Sequence, residues 1–246
     1  MIEKKTGISA LTIDTDGTKL YDDGEKKTWK ELFKKFAVEK DVESGRIGII
    51  GATPLEFGGI YEEDFLNKYF AGKGFSKVVC YGMGDGLDAV KEAAAAEKNI
   101  VVSPAGIAAA KYLQQKFGTP YELFCPPEII PEWKEKKEQV AGLLNVEELS
   151  EKKILIVHQQ VLANTLREEF ISANINVASW FMMNKEQKKE QDILFKEEDD
   201  WITYIKENEY DIIIADSLLK KAVPFYKGEW YDLPHFAISG KKRQSV

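Results

Sequence analysis

The sequence predicts an α/β protein of two Rossmann-like (flavodoxin-like) domains with parallel sheets, preceded by an N-terminal β/α appendage. Three observations lead there. Short β-branched runs alternate with amphipathic stretches long enough to form helices. The alternation restarts near residue 152, so the pattern is present twice. Neighbouring runs are separated by connections of the length that parallel strands require for a crossover. The expected organisation is an appendage over 1–45, a first Rossmann-like domain over 46–128, a helical linker over 129–151 and a second Rossmann-like domain over 152–246.

In the appendage, GISALTID reads as a strand. TWKELFKKFAVEK reads as a helix that starts at Thr28, with Glu31 at capping-box spacing. From Arg46, RIGIIGA is a buried strand and YEEDFLNKYFAGKG a helix ending at glycine. KVVCYG is the second strand, GLDAVKEAAAAEK the second helix, and NIVVSP the third strand. AGIAAAKYLQQKFG is a helix that stops at Gly118; Pro104 is tolerated just ahead of it, where its nitrogen needs no helical partner. YELF is a candidate fourth strand. The linker opens with prolines (PPEIIPEW) and then turns helical. In the second set, KKILIVH is a strand, QQVLANTLREEFI a helix and INVASWFMM a strand. A helix is expected from Glu197 to Asn208, with Trp201, Ile202 and Ile205 on one face. YDIIIAD and HFAIS complete the strands.

Composition narrows the function classes. The 246 residues, 44% of them hydrophobic, are ample for a core. A net charge of −7 argues against gripping a phosphate backbone, so no nucleic-acid partner is expected. The longest uncharged stretch, Phe170 to Asn184, carries Ser172, Asn174, Asn176 and Ser179 and does not read as a membrane span. The first residues lack the apolar region of a signal peptide, and Cys80 and Cys125 alone make no disulfide framework. A cytoplasmic location is the expectation.

In open α/β sheets, ligands sit outside the carboxyl ends of the strands. The candidate ligand- or cofactor-binding residues are therefore Thr53, Gly84, Ser103, His158 and Gln159. Each has a structural alternative. Gly84 lies in Gly82-Met83-Gly84-Asp85-Gly86, whose spacing departs from the dinucleotide fingerprint and suits a tight turn. Ser103, ahead of a helix, has the N-cap as its default role. His158 suits metal ligation or proton transfer, and equally a hydrogen-bonded strand end; His235, after Pro234, is a weaker candidate. Cys80 lies in a strand, where a thiol behaves as a small hydrophobe, and Cys125 lies nearer a strand end. Met182-Met183 and the Trp201 face read as core. No four-ligand zinc spacing, Walker-type loop or serine triad is present, and no metal ligand is assigned.

Four blocks, GIIGATPLEFGG, YGMGDGLDAVKEAAAAEKNIVVSPAGIAAAKYLQQKFGTPY, ILIVHQQVLANTLREEF and LPHFAISG, resemble the nitrogenase component 1-type oxidoreductase family, whose members include nitrogenase molybdenum-iron protein subunits. The order of the blocks, from about Gly7 to Gly240, carries the resemblance. It implies Rossmann-like domains that carry or contact an iron–sulfur or related metal cluster. It also implies an ATP-dependent iron-protein reductase as electron donor and a paired component 1-like subunit, hence a homo- or hetero-oligomer. Three departures qualify it. The family's first domain, with the cysteines of the bridging cluster, is expected to be missing, as in a truncated, split or cloned partial subunit. Ser103 stands where the nitrogenase catalytic subunit has a cluster-ligating cysteine, and a hydroxyl is a poor substitute for a thiolate at a soft iron site. After Ser239-Gly240 come Lys241, Lys242, Arg243 and Gln244, with no histidine at the family's cofactor position. The expected function is a nitrogenase-like oxidoreductase subunit fragment, inactive alone. The alternative is a non-redox two-lobed ligand-binding or cofactor-assembly scaffold module.

Overall fold

The computed structural model describes residues 2–15, 17–57, 61–130, 133, 151–170 and 174–240. A short helix α1 (Ile2–Thr6) and a long helix α2 (Tyr21–Phe36) come first. The first sheet contains β1 (Glu43–Ile50), β2 (Lys77–Cys80), β3 (Ala96–Val101) and β4 (Tyr121–Leu123), in the order β2-β1-β3-β4. The second contains β5 (Lys153–Val157), β6 (Asn174–Ser179), β7 (Ile193–Leu194), β8 (Ile212–Ala215) and β9 (Glu229–Asp232), in the order β7-β6-β5-β8-β9. Every strand pairing in both sheets is parallel.

Helices α3 (Pro54–Phe57), α4 (Tyr61–Gly72), α5 (Leu87–Lys91) and α6 (Ile107–Phe117) belong to the first lobe. Helices α7 (Gln160–Glu169), α8 (Glu198–Glu207), α9 (Ser217–Ala222) and α10 (Phe236–Ser239) belong to the second. Each sheet starts from an interior strand and grows to both sides. This places one topological switch point between β1 and β3 and another between β5 and β8.

The strands are buried on both faces, which is why they read as continuous apolar runs. Alternate residues feed different clusters. Ile50, Val79, Tyr81 and Val101 pack on Trp29 and Phe33 of α2 and Leu113 of α6. Leu155, Val157 and Ile213 pack on Trp201 and Ile205 of α8. The opposite faces, including Ile47, Ile49 and Ile100 of the first sheet and Ile154, Ile156 and Ile214 of the second, share a single apolar cluster. Phe70 of α4, Leu162 and Leu166 of α7, and Ile129, Ile130 and Trp133 of the connecting segment complete it. No helix among the described residues is long and apolar enough to cross a membrane.

Several expected elements change. GISALTID forms no strand; it lies alongside α2, where Lys27 Nζ donates to Asp14 O at 2.6 Å. Thr28 does not begin a helix. It lies within α2 and donates its hydroxyl to Gly24 O at 2.8 Å, a bond internal to the helix. The second helix ends at Lys91, and Ala96–Lys98 join β3 because β1 offers a ladder there, with Glu43 opposite Ala96. INVASWFMM leaves the sheet after Ser179. HFAIS is the helix α10, capped by His235 Nδ1 accepting from Ala237 N at 3.2 Å; the last strand is β9, just before it. The expected helix of the linker falls over residues 134–150, outside the described residues.

Candidate functional site

The carboxyl ends of the two sheets meet. Gln159, immediately after β5, reaches across to the first lobe and donates Nε2–H to the carbonyl of Val102, immediately after β3, at 2.8 Å. Its Oε1 accepts from Val161 N at 2.8 Å and so caps α7. One fully buried side chain thus serves both a helix terminus and the contact between lobes.

Beside it lie the two histidines. His158 is 1% exposed, and its ring stands 4.6 Å from that of His235, centroid to centroid. His158 Nε2 is 3.3 Å from Pro234 O; a carbonyl only accepts, so this nitrogen is the donor. His235 N donates to Asp216 Oδ2 at 3.0 Å, while Asp216 Oδ1 caps α9 through Leu218 N. Because His235 Nδ1 accepts from Ala237 N, the neutral ring carries its proton on Nε2, which lies 3.4 Å from Glu56 Oε2.

Glu56, in α3 of the first lobe, is 1% exposed and accepts from Tyr21 OH at 2.7 Å. Burial, then the Glu56 charge, hold the Tyr21 hydroxyl far above the usual phenol range. Thr53 donates to Glu25 Oε1 at 3.0 Å. Burial, reinforced by the charge on Glu56, pushes the Glu25 carboxyl up to about 7. Asp22 Oδ2 accepts from Met182 N of the second lobe at 2.9 Å and from Lys26 Nζ at 2.6 Å.

Ser103 does not cap the helix that follows it. Its hydroxyl, fully buried, donates to Gly51 O at 2.6 Å and ties the ends of β3 and β1 together at the first switch point. Gly51 takes φ +90°, and a Cβ there would lie 2.7 Å from Ser103 Oγ, so the contact requires glycine.

Thr53, Ser103, His158 and Gln159 all lie on the strand-end loops at this junction. Gly84 lies apart, at φ +100° in the exposed turn between β2 and α5. Asp216 lies at a strand end that the sequence marks for inspection, whereas Glu56, Tyr21 and Glu25 were not singled out from sequence. Asp216 carries a readable signal, an acid directly after an apolar strand and ahead of a helix; Glu56 and Tyr21 carry none, because only the packing of α2 and α10 against α3 brings them to the seam. Glu56, Ser103, His158, Gln159, Asp216 and His235 are almost wholly buried, while Tyr21, Glu25 and Thr53 are only partly so.

A resident iron–sulfur cluster does not fit this donor set. Cys80 and Cys125 are buried in apolar surroundings, and no disulfide joins them. Among the described residues no three His, Cys, Asp or Glu side chains are grouped to hold a metal ion. Ser103 offers a hydroxyl already committed to a carbonyl.

Two parallel α/β lobes joined at their strand ends through a buried polar seam define a two-lobed protein of the Rossmann type. The family model for nitrogenase component 1 type oxidoreductases matches residues 2–178, and the chain belongs to that family. Among solved structures, nitrogenase Cp1 at pH 5 superposes with a TM-score of 0.60 at 12% identity, covering 95% of this chain and 60% of that one. Nitrogenase Cp1 at pH 6.5 gives a TM-score of 0.58 at 12% identity, covering 86% of this chain and 57% of that one. At this identity the likeness is one of fold, and the chain spans about three fifths of the nitrogenase chains it matches. A comparison with curated proteins returned no match.

Proposed function

We propose that this chain is an oxidoreductase subunit of the nitrogenase component 1 kind. In this reading it works in the cytoplasm with an ATP-dependent iron-protein reductase and a paired component 1-like subunit. Its own contribution is the polar seam at the facing strand ends, where Thr53, Ser103, His158 and Gln159 lie near the reducible group, with Gly84 as an outlying contact. Any metal cluster is liganded from the paired subunit, since the described side chains here do not form a chelating set. The observation that carries the proposal is the apposition of the two switch points, bridged by Gln159 and Val102, in a chain of this family.

The test is anaerobic purification of the chain alone and with its co-expressed partner subunit, followed by iron and acid-labile sulfide analysis. The chain alone is expected to be colourless and inert. The complex is expected to hold the cluster and to accept electrons from the reductase only with MgATP. Stoichiometric iron and sulfide in the chain alone would overturn the assignment of ligands to the partner; a complex that takes up no electrons would overturn the redox role. In that second case the alternative, a ligand-binding or cofactor-assembly scaffold, gains ground. One observation already favours it: Ser103 Oγ, where the resemblance to the nitrogenase catalytic subunit would put a thiolate, is used to brace Gly51.

A further inference from the structure

Beside the seam, at the carboxyl ends of β6, β7 and β8, the second lobe opens into a cavity of about 560 Å³. That volume lies in the range of small-molecule sites, and the carboxyl edge is where α/β sheets place their ligands. Its walls are apolar: Trp180 and Phe181 follow β6, Trp201 comes from α8, Leu218 from α9 and Ile238 from α10, and Leu20 closes it from the first lobe. Leu20 and Leu218 are 55% and 42% exposed, so large aliphatic surface stands in water at the mouth.

The usual occupant of such an edge is a phosphate at a helix N-terminus. Here that position is taken by the protein itself. Glu197 and Asp200 form a reciprocal capping box on α8. Asp200 Oδ2 accepts from Lys196 N at 2.8 Å and from Glu197 N at 3.0 Å. Both indole N–H groups are also spent, Trp180 Nε1 on Glu197 O at 3.0 Å and Trp201 Nε1 on Leu219 O at 3.2 Å. The rim charges are Glu197, Glu198 and Asp199 against Lys196, an excess of carboxylate. Aromatic faces, aliphatic walls and an acidic mouth, with the anion-binding amides already closed, suit one class of molecule.

We propose that this cavity binds a small organic cation with a flat apolar body, its ring against the partly exposed Trp180 and Phe181 and its charge at the acidic mouth. The test uses the full chain and three probes of similar size: benzyltrimethylammonium, its uncharged carbon isostere neopentylbenzene, and phenylphosphate. Binding is read by tryptophan fluorescence and calorimetry. The cation is expected to bind saturably, and phenylphosphate not at all. The exposed double variant Glu198→Gln/Asp199→Asn is expected to weaken the cation about fivefold and leave the neutral isostere unchanged. Leu218→Lys, also exposed, is expected to abolish cation binding with an unaltered circular dichroism spectrum. No saturable binding of the cation, phenylphosphate binding as tightly as the cation, or cation binding indifferent to both variants would each overturn the proposal.

Discussion

Gln159→Leu isolates the contact between the lobes. Leucine is close to glutamine in size, so the packing survives, but both amide functions are lost. Val102 O then loses its partner across the seam and Val161 N loses its cap, and both groups stay buried. A buried polar group left without a partner costs about 1–3 kcal/mol, and the gain from one more apolar side chain returns about 1–2 kcal/mol. Two such groups together cost about 2–6 kcal/mol, so the net expected loss centres on about 2.5 kcal/mol. With a urea m-value of about 2 kcal/mol/M, the unfolding midpoint falls by about 1–2 M at constant m. Fluorescence and circular dichroism should still report one shared transition, since the apolar cluster joins the lobes independently of this residue. A change below about 0.5 kcal/mol, the level of an ordinary surface substitution, would refute the assignment of Gln159 as a structural bridge.

Other outcomes follow from the same region. Gly51→Ala forces a Cβ onto a backbone at φ +90° and to within 2.7 Å of Ser103 Oγ, for a loss of about 2–4 kcal/mol by chemical denaturation; Gly51→Ala with Ser103→Ala should recover part of it, and strict additivity would show that the hydroxyl is not the clash. Glu25 binds its proton more tightly folded than unfolded, with a folded value of about 7 against the ordinary 4.5. Its contribution to stability is therefore whole below about pH 4.5, drains away as pH rises towards 7, and stays lost above that. Glu25→Gln should thus gain on the wild type between pH 5 and 8 in urea midpoints, and parallel pH curves for the two proteins would contradict this.

The sheets were legible because strands buried on both faces announce themselves: RIGII, KILIV and DIIIA need no periodicity to be recognised. Strands made by position rather than composition were not. Ile193–Leu194 is too short to show a pattern, Glu229–Asp232 is polar at both ends, and Ala96–Lys98 resembles a helix end until β1 supplies its ladder. HFAIS has strand-like residues, yet His235 caps it as a helical turn. In the seam, strand-end logic found His158, Gln159, Ser103 and Thr53 because the chain topology alone puts them there. It misassigned the Ser103 hydroxyl, since a carbonyl 52 residues away outcompeted the local amide. It passed over Glu56 and Tyr21, whose meeting with His235 depends on long-range docking.

The apolar layer common to both sheets has a practical consequence for anyone cutting the chain. Neither half owns a complete interior: severed between residues 130 and 151, each would present the bare inner wall that its neighbour normally covers. Such pieces should be recovered only as insoluble material when made apart, and should regain solubility when produced together, each acting as the other's missing lining.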